Sequence, residues 1–206
     1  MTPKARGVSS GETYAGTRGT QVSEPTTDGR RIKGERRRQE LIEATVRVVA
    51  REGVAGVSHR AVAREAGQPP TAAAYYFTSI DDLLTAALTR CLREDAARMR
   101  ALAEEAGGSE AGLRALAELM CSVVAGPEHL LAEYELYLLA ARRPELRGPA
   151  RDWISAVAEF GRCYTDDPVR LRILPGVVDG LLMQALLTDW QPTAEEFTEV
   201  LRTVLL

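Results

Sequence analysis

The stretch from Val57 to Phe77 constrains this chain more than any other. It reads as a short helix, a glycine turn at Gly67 and a second short helix that ends in Tyr75, Tyr76 and Phe77. Ser58 is a good N-cap, and Val57 and Val62 flank it at the spacing of a hydrophobic staple. Ala63, Ala66 and Gly67 are small enough to let two helices cross closely. Pro70 is predicted at the first position of the second helix, where its missing N–H would have no helical partner. Two helices joined this tightly present the second one outward, in the arrangement that enters a DNA major groove. Any αα-hairpin of a helical core would share part of this pattern.

Charge separates the two readings. The chain carries a net charge of −3, but residues 1–78 hold 13 Lys and Arg against 8 Asp and Glu, a net of +5. Residues 79–206 hold 13 against 21, a net of −8. A basic front joined to an acidic back is what a nucleic-acid-binding domain followed by a non-binding domain shows. No apolar run approaches the roughly 18 to 20 residues of a membrane span, and no signal-peptide core follows Met1. Cys91, Cys121 and Cys163 are odd in number and lack metal spacing, so they are expected as reduced core thiols of a cytoplasmic protein.

The rest of the chain reads as helix after helix. Residues 1–30 are rich in Gly, Ser and Thr and are expected to form a flexible arm. Arg30, Arg31, Lys33, Arg36, Arg37 and Arg38 then lead into a helix that Gly53 ends. Ser79 and Asp82 make a capping box that opens a long helix to about Ala106, and Gly107-Gly108 breaks it. Helices are predicted over 109–125, 128–143, from Pro144 to about 164, and 168–189, with a kink at Pro175. Thr193 and Glu196 cap the last one. No strand pattern or internal repeat is present.

These features resemble the tetracycline-repressor (TetR) family of bacterial transcription regulators. The likeness rests on Arg38-Gln39-Glu40-Leu41-Ile42-Glu43-Ala44, Gly53, Ser58 to Gly67, and Tyr75-Tyr76-Phe77 leading to Leu83-Leu84. Asp179 to Leu186 is similar to the family's penultimate helix. The resemblance implies an all-α protein: a three-helix helix-turn-helix DNA-binding domain over 31–78, then a helical ligand-binding and dimerisation domain over 79–206. It implies a homodimer through residues 168–206, double-stranded operator DNA and a small effector as partners, and no cofactor. Ala74, Ile80 and Pro69 stand where the family usually carries tyrosine, lysine and serine. Each removes a phosphate or capping contact and leaves the basic segment to supply the charge.

Residue chemistry gives an expected DNA surface. Arg36, Arg37 and Arg38 are candidates for phosphate, as are His59 and Arg60 behind the Ser58 cap, where the helix dipole adds to their donors. In and before the second helix, Gln68 can pair with adenine and Thr71 with a base edge. Pro70 opens the helix, Ala72 and Ala73 can touch thymine methyls, and Tyr75 and Tyr76 the groove wall or phosphate. So few polar tips imply that DNA shape and water contribute to specificity.

Candidate pocket residues are Met120, His129, Glu133, Tyr134, Tyr137, Trp153 and Met183, on helices that the family uses to enclose its ligand. A mostly apolar cavity with a few such groups suits a small, largely apolar molecule. His129 and Glu133 are four apart and can pair on one helix face. With no third ligand in view, no metal is expected. The chain has no glycine-rich phosphate loop and no nucleophile–base constellation, so no enzyme is expected. The alternative is a helical dimeric adaptor without sequence-specific DNA binding, against which the Arg30–Arg38 segment argues.

Overall fold

The computed structural model describes residues 27–206. Its regular structure is helical, with no strand among the described residues. Helix α1 (Thr27–Glu52) begins within the segment expected to be an arm; the remainder of that expectation, residues 1–26, lies outside the described residues. After a short 3-10 turn (Val54–Gly56) come α2 (His59–Glu65) and α3 (Ala72–Tyr76). They are followed by α4 (Ile80–Ala106), α5 (Glu110–Ala125), α6 (Glu128–Arg142), α7 (Arg147–Gly161), α8 (Pro168–Leu187) and α9 (Ala194–Leu205).

The boundaries follow local chemistry. The Ser58 hydroxyl accepts from Ala61 N at 3.1 Å, and Val57 and Val62 are both buried beside it. Gly67, at φ +62°, is the left-handed residue of a Schellman turn. Gln68 N–H donates to Ala63 O at 2.9 Å and Gly67 N–H to Arg64 O at 3.1 Å, which stops α2 and turns the chain toward α3. Ser79 and Asp82 close the predicted capping box on α4, and Thr193 and Glu196 the one on α9. Pro175 lies inside α8 without ending it.

Two groups of buried side chains make one continuous core. Leu41, Val48, Val62, Phe77 and Leu84 hold α1–α3 against the start of α4. Leu92, Met99, Leu113, Phe160, Leu174, Phe197 and Leu201 fill the space among α4, α5 and α7–α9. The helix α4 belongs to both, and its contact with α7 is the largest between any two elements. Gly112 lets α5 pass over the end of α4, because a Cβ there would collide with Ala106 and the Tyr164 hydroxyl. Cys91 is buried, and burial pushes its thiol up to about 12. Cys121 and Cys163 are only half-buried and donate to Pro192 O and Ala103 O, so the expectation of three core thiols holds fully for Cys91 alone.

Phe160 is fully buried between α4 and α8. Phe160→Ala is expected to cost about 3–5 kcal/mol of stability, read as a lower urea midpoint with an unchanged unfolding slope.

Candidate functional site

The α2–turn–α3 unit presents α3 on the surface. Tyr75 is 82% exposed and packs edge-on against Tyr76, whose ring lies half-buried on the core. Thr71, Ala74 and Arg60 are exposed, and Arg60 makes no ion pair among the described residues. Arg37 is likewise exposed and unpaired, and it borders a cleft of about 440 Å³ with Gln68, Pro69, Thr71, Ala72, Tyr75 and Tyr76. Arg37, Thr71 and Tyr75 thus meet around one cleft, as a DNA-facing surface requires.

Six expected contacts change. Pro70 lies in the turn before α3, because Ala72 N–H bonds to Pro69 O and Thr71 becomes the N-cap. Ala73 is fully buried against the core and is out of reach of a thymine methyl. Gln68 Nε2 is held by Arg37 O and Glu40 Oε2, both at 3.0 Å, so the amide ties the turn to α1 and is not free for adenine. The His59 Nε2 is buried without a hydrogen-bond partner, so this nitrogen is withdrawn from the surface. Arg38 lies over the Phe77 ring at 5.1 Å, and Arg36 is paired with Glu40 at 3.4 Å. Of the three arginines, Arg37 is the one left free for phosphate.

The second site is a cavity of about 40 Å³ among α4, α5, α6, α7 and α8. Its apolar wall includes Met99, Leu116, Met120, Val178 and Leu182. Its polar end holds Asp95, His129, Glu133 and Asp179, with Arg98 and Trp153 beside them. Met120, His129, Glu133 and Trp153 are therefore brought together as expected. Tyr134 and Tyr137 stand behind the wall: Tyr137 Oη donates to Glu133 Oε1 at 2.7 Å and Tyr134 Oη to Asp179 O at 2.9 Å. Met183 is on the outer face of α8, away from the cavity.

Asp95, Arg98 and Asp179 were missed by the sequence reading. Asp95 had a visible signal, since it interrupts the buried face formed by Leu88, Cys91, Leu92, Ala96 and Met99. It changes the partner of His129. The His129 Nε2 lies 3.2 and 3.0 Å from the two Asp95 oxygens, so it pairs across to α4, and Glu133 on its own helix face bonds Tyr137 instead. The reason given for expecting no metal also fails, because Asp95 supplies a third ligating group.

These carboxylates are poorly answered by positive charge. Glu133 is only 7% exposed. Burial, then the charge of Asp95, pushes it up to about 8, against the opposing Tyr137 hydroxyl bond. Burial alone pushes Asp179 up to about 6. The Asp95 hydrogen bond raises His129 above its ordinary 6.5, with burial acting the other way. Trp153 Nε1 is buried without an acceptor.

Two helices join the sites. From α4, Asp95, Arg98 and Met99 face the cavity, while Arg90 nearer its start pairs with Glu43 of α1 at 2.9 Å. From α6, His129 and Glu133 face the cavity. On the same helix, Glu135 accepts from Val54 N–H at 3.4 Å, just past the end of α1. Arg143, which follows α6, pairs with Asp81 of α4 at 2.8 Å.

In all three cavity groups the folded state binds more protons than the unfolded chain. Stability is therefore expected to fall as pH rises from about 5 to about 8, the window set by Glu133, Asp179 and His129. Thermal melts across that range are the measurement, and Glu133→Gln should flatten the slope.

Comparison with known proteins agrees with this geometry. Residues 41–87 match the family "Bacterial regulatory proteins, tetR family", and residues 107–206 match "Tetracyclin repressor-like, C-terminal domain". The nicotine-responsive transcriptional repressor HdnoR of Paenarthrobacter nicotinovorans is 34% identical over 119 residues, which are 55% of this chain and 59% of that protein. The chain thus spans little more than half the length of this curated relative. A solved TetR-family member from Streptomyces coelicolor is 39% identical, with a TM-score of 0.70 over 82% of this chain and 98% of that one. The multidrug binding protein EbrR, solved with ethidium, is 38% identical, with a TM-score of 0.66 over 82% and 97%. With both halves matched, and a solved member covered almost whole, the exposed helix-turn-helix and the helical domain behind it place the chain in a known family: it belongs to the TetR family.

Proposed function

We propose that this protein is a cytoplasmic, homodimeric repressor, released from a palindromic operator by a lipophilic organic cation. The observation that carries the ligand class is the pairing of an apolar wall with buried Glu133 and Asp179. A neutral apolar ligand would leave these buried carboxyls without a partner, whereas a cation with an extended apolar body pairs with them as they give up their protons. The free Trp153 N–H favours a ligand that also carries an acceptor. EbrR has been solved with ethidium, proflavin and malachite green, and HdnoR responds to nicotine. These are cationic or protonatable molecules, which supports the same reading here. At about 40 Å³ the cavity admits a water-sized occupant, so a dye requires its walls to part.

Dimerisation is supported by a single exposed stripe along α8. Val169, Ile173, Met183 and Leu187 lie on one side of the helix, and Leu187 is 75% exposed. Gly176 and Gly180 fall between them with open space above. An apolar stripe with small residues at its centre suits close packing against its own symmetry mate. Among the described residues, no single helix is long and apolar enough to cross a membrane. Wall movement on ligand entry would shift α4 and α6 together, and in a dimer this changes the spacing of the two α3 helices. The ligand releases DNA only through its different affinity for the two spacings. The adaptor reading loses ground to Arg37, Thr71 and Tyr75, which are exposed around one cleft at α3.

Two experiments test this. Operator affinity, followed by anisotropy with a labelled duplex from the gene's own upstream region, should fall steeply with salt. Arg37→Ala should shallow the log–log slope by about 0.9 for each chain, while Arg38→Ala should shallow it less and lower the melting temperature. An unchanged slope in Arg37→Ala would remove this residue from the phosphate contacts. For the ligand, malachite green should bind the free protein and weaken its hold on the operator. The double variant Glu133→Gln, Asp179→Asn should lose at least about tenfold in dye affinity, as expected when a charge-assisted contact of about 1.5–3 kcal/mol is removed. Dye affinity that survives the double change would sink the cation reading.

A further inference from the structure

The acidic end of the cavity has a second chemical capacity. His129 and Glu133 are four residues apart on α6, a spacing that sets two side chains over one spot on a helix face, as in helical zinc motifs. Asp95 reaches the same spot from α4. One ligating atom from each of the three lies within 4.8 Å of the others. The Asp95–His129 separations of 3.0 and 3.2 Å are close to the roughly 3.4 Å between two ligands of a tetrahedral zinc with bonds near 2.1 Å. Glu133 needs to approach by only about 1.4 Å, within reach of a side-chain rotation.

We propose that Asp95, His129 and Glu133 form a site for a divalent transition-metal ion, best matched by zinc, with the fourth position open to the cavity. The cavity space of about 40 Å³ has room for a metal-bound water or a ligand atom at that position. One imidazole with two carboxylates suits zinc better than magnesium or calcium, which take oxygen alone. The metal replaces the proton that His129 shares with Asp95, and Arg98, whose side chain is half-exposed, moves off Asp95 into solvent. A +2 ion answers the buried carboxylates that His129 and Arg98 leave over. The site goes beyond the organic-cation reading and shares only Glu133 with it. Zinc and dye are accordingly expected to compete, since both draw on that carboxylate and their charges repel.

The test uses the full chain, stripped with chelator and titrated with zinc chloride by calorimetry. One zinc per chain is expected at micromolar protein. Asp95→Asn and His129→Gln should each weaken it at least about tenfold, or about 1.4 kcal/mol. Cobalt(II) substitution should give the strong visible bands of a tetrahedral site without thiolate charge transfer, and this needs no variant to fold. Zinc binding that survives both substitutions, thiolate bands in the cobalt spectrum, or no zinc binding at all would each overturn the proposal. A parallel titration with malachite green keeps the two readings apart. Asp179→Asn should weaken the dye and spare zinc. A protein that binds zinc but no dye would sink the organic-cation reading alone, and one that binds dye but no zinc would sink the metal site alone.

Discussion

The structure is organised around the difficulty of taking carboxylates out of water. Glu133 and Asp95 sit in the middle of a helical core, on faces otherwise made of leucine, alanine and methionine. Burying a charge this way is unfavourable by several kcal/mol unless a partner answers it. Here the answers are partial: a tyrosine hydroxyl, one histidine and one half-exposed arginine. A core built for stability alone would place apolar side chains at these positions. The retained carboxyls make the cavity an attractive place for a cation, which can take the place of their protons.

Two of the helices that line the cavity, α4 and α6, are fixed to α1 at separate points. Arg90 of α4 pairs with Glu43, while Glu135 of α6 caps the turn beyond α1. Ion pairs at the surface are weak singly, so the packing of α1 on both helices carries the greater part of the connection. The same arrangement makes α1 the element on which both paths converge. The same helix also supports Gln68 and the recognition turn, through Arg37 O and Glu40.

Much of this was legible in the sequence because it depends on neighbours in the chain. Ser58 and Val62, the Ser79–Asp82 box, Gly107 and the Thr193–Glu196 box act within one turn, and each stands where the pattern put it. The short recognition helix was harder. Its start at Ala72 and the burial of Ala73 depend on how α3 lies against the core. A five-residue element has too little periodicity to show which side faces inward. The cavity was half legible. His129 and Glu133 were visible as a pair on one face, but their true partners, Asp95 and Tyr137, are set by the crossing of α4 and α6 and by rotamer choice. Tyr134 and Tyr137 were read as lining residues because a helical repeat gives direction without depth.

The tether at Gln68 has a consequence for how the DNA-facing surface is mapped. Its amide joins the turn between α2 and α3 to the backbone of Arg37 and to Glu40, and so sets the angle at which α3 leaves the body of the protein. A change at this position would alter every contact made by α3 at once. Footprints and affinity scans would then register Gln68 as a specificity determinant, although its amide nitrogen is held within the protein. The identity of residue 68 thus belongs to the grammar by which α3 is aimed.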